Sequence, residues 1–112
     1  MPARLRKLDP AALAAAADAS DTKALVKHFL AVLEQRAPGR SVEVRVPPYA
    51  AVQVVPGVRH TRGTPPAVVE TDAETWLAVA TGRTSWVEAL DSGKVVASGE
   101  RTDLSPYLPL DR

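Results

Sequence analysis

The sequence predicts an α+β domain, and three observations carry that prediction. A broad apolar stripe at helical spacing runs through residues 20–37. Two valine-rich runs follow it, with only a Pro-Pro link between them. The stretch from Thr71 to Gly99 then reads as helix, helix, strand, punctuated by glycines.

Taken in order, residues 1–19 form an N-terminal tail or marginal helix ahead of a domain spanning 20–112. Asp9-Pro10 is a suitable N-cap and first-turn pair, but the alanine-rich run after it has high helix propensity and almost nothing large to bury. Residues 1–8 are expected to be poorly ordered, because nothing large and apolar fixes them. Arg4, Arg6 and Lys7 fit a solvated tail better than an anionic-surface anchor, given so few charges. From Ser20-Asp21, Leu25, Phe29, Val32 and Leu33 lie on one stripe that Val26 and Leu30 widen, until Ala37-Pro38-Gly39 stops the helix. His28 sits beside that face with no acidic or His partner three or four residues away, so it reads as surface or packing rather than as a ligand.

Val42, Val44 and Val46 alternate with Glu43 and Arg45, the period of a half-exposed strand over 41–46. After Pro47-Pro48 a second strand is expected over 50–55, and the short link favours an antiparallel neighbour. Alternation turns Gln53 outward; the other reading makes it a polar group inside an apolar cavity. Arg59, His60, Thr61 and Arg62 open a polar loop that ends at Pro65-Pro66. These residues could hold a carboxylate or phosphate, since guanidinium supplies paired donors; otherwise they are a solvated connection whose arginines meet Glu70, Asp72 or Glu74. A third strand is expected at 66–70.

Thr71 with Glu74, and Ser85 with Glu88, have the spacing of capping boxes. Ala73, Trp76, Leu77 and Ala80 form the apolar side of the first helix; Trp86, Ala89 and Leu90 form that of the second. Gly82 and Gly93 close them as residues able to turn left-handed. Lys94 to Ser98 is a β-branched run of strand length ending at Gly99. Beyond it, Pro106 and Pro109 limit any helix to about a turn.

Composition removes several functional classes. At 112 residues the chain can bury a core without disulfides or a structural metal. It has no cysteine, which excludes thiolate catalysis and Cys-based zinc sites and fits a reducing, cytoplasmic setting. A net charge of +1 gives no field for nucleic acid, and the apolar run from Ala11 to Ala17 is far too short to span a membrane. The two histidines lie in no recognisable motif, there is no nucleophile elbow, and no metal-ligand spacing occurs. The residue inventory points to no catalytic constellation, no metal and no cofactor.

The spacing Leu77, Gly82, Ala89, Gly93-Lys94-Val95, Ser98-Gly99 resembles the C-terminal half of the sterol carrier protein family, particularly its short bacterial members. The resemblance implies a twisted, mostly antiparallel sheet of about four to five strands, with helices packed on one face and an apolar cavity between the layers. Phe29, Leu33, Val52, Val54, Trp76, Ala80, Trp86 and Leu90 would line that cavity. Longer members of the family have a C-terminal helix that helps close it, and here the prolines depart from that pattern. The implied function is non-catalytic binding or carrying of a lipid or another apolar small molecule. The competing reading is an interaction module with a filled core, which uses the Arg59–Arg62 loop to contact a protein partner or an anionic metabolite.

Overall fold

The computed structural model describes residues 5–57 and 67–112. Helix α1 (Pro10–Asp18) starts where expected: the Asp9 carboxylate accepts the Ala12 N–H at 2.8 Å, and Pro10 sits at a position whose N–H would have no partner. Only Ala16 of this helix is buried. Helix α2 (Thr22–Arg36) is capped by Asp21, which accepts from the Ala24 N–H, and it buries Val26, Phe29, Leu30 and Leu33. The stripe read from the sequence is thus centred slightly to one side, with Leu25 and Val32 at its half-buried margins.

Among the described residues four strands follow: β1 (Val42–Val46), β2 (Ala50–Val54), β3 (Ala67–Thr71) and β4 (Val95–Ser98), in the sheet order β2-β1-β3-β4. The β1/β2 and β3/β4 ladders are antiparallel and the central β1/β3 ladder is parallel, which makes the sheet mixed. Register puts Val42, Val44 and Val46 on one face with Val52, Val54, Ala67, Val69, Thr71 and Val95, all of them buried. Because side chains alternate, the other face carries Glu43, Arg45, Gln53 and Glu70. Gln53 is exposed, as alternation requires. Helices therefore cover one face only, the α+β arrangement expected from the sequence. On the open face Arg45 Nε lies 3.6 Å from both Glu43 Oε1 and Glu70 Oε1, a solvated cluster that contributes about 1 kcal/mol or less per pair.

Helices α3 (Ala73–Ala80) and α4 (Trp86–Asp91) lie between β3 and β4 in the chain. At Ser85–Glu88 the cap forms: Ser85 Oγ accepts the Glu88 N–H at 3.1 Å, while the Glu88 carboxylate takes the Ser85 hydroxyl at 3.0 Å rather than the backbone N–H of a full box. The Thr71–Glu74 cap does not form. Strand β3 extends through Thr71, whose hydroxyl donates to the Lys94 carbonyl at 2.9 Å, and the cap moves one residue on, where Asp72 Oδ1 accepts the Thr75 N–H at 2.7 Å. Pairing with β4 claims Thr71 before the helix can.

Gly82 ends α3 with φ +79°, and a Cβ there would come no nearer than 3.5 Å to Pro109. Gly82→Val is therefore expected to cost about 1–2 kcal/mol from backbone strain alone. A urea midpoint unchanged from the parent chain would contradict the left-handed cap.

Both ends of the described chain are fastened. The arm formed by residues 5–8 packs Leu5 against the core, and the Leu8 N–H donates to His28 Nδ1 at 2.9 Å, so this part of the expected loose tail is docked. Leu5 supplies the apolar anchor that the sequence reading overlooked. At the other end, residues 104–112 contain one 3₁₀ turn, Ser105–Tyr107, and bury Leu104 and Leu110. The Leu110 N–H donates to the Ala80 carbonyl at 2.7 Å. Arg36, in the last turn of α2, donates to the Pro109 carbonyl at 2.7 Å, to the Tyr107 carbonyl at 3.4 Å and to the Arg112 carbonyl.

Candidate functional site

Seven of the eight residues expected around a cavity, Phe29, Leu33, Val52, Val54, Trp76, Ala80 and Trp86, belong to one buried cluster between the sheet and helices α2, α3 and α4. Leu90 does not: its side chain is 36% exposed on α4, with Val87 beside it more exposed still. A helix of only six residues turns little of its surface inward, and Trp86 with Ala89 takes that share.

The two tryptophans give this layer its unusual chemistry. Trp76 is 1% exposed and Trp86 is 6% exposed, and the indole Nε1 of each is buried with no hydrogen-bond partner among the described residues. A buried donor left unmatched costs about 1–3 kcal/mol, so native structures keep only a few, and each calls for an explanation. Here two occur on consecutive helices in the same cluster.

Trp86 and Val79 also line a groove of about 410 Å³ on the outside of the cluster, bounded by the α3–α4 connection and the C-terminal segment. Leu108 and Pro109 add apolar surface to it, and Arg83, Ser85 and Glu88 add polar groups. Arg83 Nε donates to Thr81 Oγ1 at 3.1 Å. Near the same rim, Asp103 accepts from Ser105 through its hydroxyl and its backbone N–H, which holds the Asp103 carboxyl below its ordinary range. The groove was not anticipated. Its walls come from residues 79–88 and 105–112, and nothing local in either stretch announces their meeting.

A second groove, of about 940 Å³, lies between the N-terminal arm and α2, lined in part by Leu5, Arg6, Leu8, Lys27 and Ala31. His28 is its fastening point. The imidazole is 6% exposed, meets the Phe29 ring edge to face at 4.8 Å, and uses Nδ1 as an acceptor. Burial, and secondarily the charge of Lys7, holds its pKa below the ordinary imidazole value. The sequence left His28 as either surface or packing; it is a packing residue, and its partner lies 20 residues away in the chain.

The polar loop of Arg59, His60, Thr61 and Arg62 lies outside the described residues. Its flanks are described: Val54 and Ala67 both pair with Val42, one on each side of β1. Among the described residues, no group of three or more His, Cys, Asp or Glu could hold a metal ion, and no helix is long and apolar enough to cross a membrane.

Comparison with known proteins adds one positive finding. A family model described as bacterial SCP ortholog matches residues 18–110, which takes in α2, the whole sheet, α3, α4 and Leu110, and leaves out nearly all of α1 and the arm before it. A search of curated proteins returned no match.

Proposed function

This chain belongs to the bacterial SCP ortholog family, and from that premise we propose that it binds or carries a lipid or another apolar small molecule, without catalysis, between its sheet and its helices. The observation that carries the proposal is the pair of buried indole donors without acceptors, Trp76 Nε1 and Trp86 Nε1. A hydroxyl, carbonyl or carboxylate oxygen on an otherwise apolar ligand would satisfy one or both, and the surrounding valines, Phe29 and Leu33 would solvate its hydrocarbon part.

Entry requires an element that can move at low cost, and α4 is the candidate. Six residues are too few for a self-supporting helix, and its inward anchors are Trp86 and Ala89. Displacing it would widen the groove beside Trp86 into the layer behind. The absence of cysteine suits a reducing compartment, and we place this activity in the cytoplasm.

The test is a titration of freshly purified protein with fatty acids, sterols and acyl esters, read as a saturable change in tryptophan emission, together with native mass spectrometry for co-purified lipid. Binding is expected, and Ala80→Phe, which fills the layer beside Trp76, is expected to weaken it while the protein stays folded. No saturable signal at solubility-limited concentrations, with no lipid in the spectrum, would overturn the carrier reading and leave the interaction module in its place.

A further inference from the structure

We propose that the N-terminal arm is a proton-sensitive latch: protonation of His28 releases residues 5–8 from α2 and bares the side of α2 that they pack against, while the rest of the fold stays intact. The geometry makes the latch specific to one protonation state. Leu8 donates its N–H to His28 Nδ1 at 2.9 Å, so that nitrogen must carry a lone pair. A proton on Nδ1 would set donor against donor in a site where the ring is buried.

The surroundings oppose the charged ring. Lys7, next to the bonded residue, bears on it directly, and Arg6 and Lys27 line the groove between arm and α2, with Glu34 as that groove's carboxylate. Helix α1, which also packs on α2, brings Asp9 and Asp18; the Asp9 carboxylate is turned toward its own helix at Ala12. Among the described residues the arm is held chiefly by Leu5 against the core and by this bond, so it sits at the low-stability end of the molecule. The arm and most of α1 also precede the family-matched stretch.

The sign of the effect follows from linkage. In the docked state the imidazole pKa is below its ordinary value of 6.5, so undocking takes up a proton. Docking is therefore fully favoured above the ordinary value and weakens as pH falls from there toward the lowered one, by up to about tenfold per pH unit. A released arm would bare the side of α2 around Ala24 and Ala31.

Amide hydrogen exchange of the full chain between pH 7.5 and 5, expressed relative to intrinsic rates, tests the latch. Protection at Leu8 is expected to fall by up to about tenfold per pH unit below pH 6.5, while β1 amides keep theirs. His28→Gln, which offers a non-titrating acceptor, should make Leu8 protection independent of pH. His28→Phe, which offers none, should leave the arm open throughout. Should either variant fail to fold, the parent chain still decides. Leu8 protection that is flat across this range, or that falls in step with β1, would overturn the proposal, as would a persisting pH dependence in His28→Gln.

Discussion

Gly39→Ala is expected to destabilise the protein by about 3 kcal/mol or more, the upper end of what overpacking costs, because the obstacle is backbone rather than a side chain. A Cβ at residue 39 would lie 2.2 Å from the Val55 carbonyl oxygen, 2.4 Å from its carbon and 2.6 Å from the Pro56 nitrogen. That backbone cannot retreat. The Val55 N–H donates to the Ala37 carbonyl at 2.6 Å, the Val55 carbonyl accepts the Ser41 N–H at 3.2 Å, and Val55 itself is held at φ +71°, costly for a β-branched residue. The turn after α2 and the exit from β2 are thus interlocked at Gly39. Gly93→Ala is the proper comparison, since Gly93 is also left-handed, at φ +78°, but has nothing within 4 Å of a built Cβ. It should lose only about 1–2 kcal/mol. Equal losses in urea denaturation would show that the close approach at Gly39 is not what matters.

The second large effect is expected at Trp76. Trp76→Ala should cost about 3–5 kcal/mol, since it empties the largest fully buried side chain in the core. Trp76→Phe should cost far less than its lost volume suggests, because it also deletes a buried N–H that has no partner. The two substitutions separate packing from polarity. If lipid-free protein loses as much stability in the Phe variant as in the Ala variant, the indole N–H is satisfied in solution and the unpaired-donor argument fails. If ligand binding weakens in Trp76→Phe while stability holds, the donor serves the ligand.

Much of the fold was legible because it is written in short-range patterns. Alternation over Val42–Val46 fixed both the strand and its buried face, and Gly82 and Gly93 adopt the left-handed turns their positions suggested. The reading slipped where two local signals competed, as at Thr71, a good cap residue that sheet pairing claims first, leaving Asp72 to cap α3. The parallel β1/β3 ladder was hidden for a different reason. Parallel pairing joins segments that are not neighbours in sequence, and a strand half-exposed on one face looks the same in either direction. Of the candidate site, the buried residues were readable from periodicity, and Leu90 stands outside the cluster because a six-residue helix turns only Trp86 and Ala89 inward. The groove beside Trp86 and the bond from Leu8 to His28 were beyond reach, since each joins segments about 20 or more residues apart.

The grip of Arg36 on the C-terminal segment also bears on how the protein is made. Its acceptor carbonyls on Tyr107 and Pro109 lie 71 and 73 residues further along the chain, so α2 leaves the ribosome long before they exist. At about 5–20 residues per second, a nascent chain waits some 4–15 s between the synthesis of Arg36 and that of Pro109. Until the last residues are made, the places later filled by Leu104 and Leu110 stay open, and the Ala80 carbonyl, once synthesised, lacks its donor. Closure of the domain is therefore a late, long-range event, and a chain stalled before residue 104 would present an unfilled apolar edge to chaperones and proteases alike.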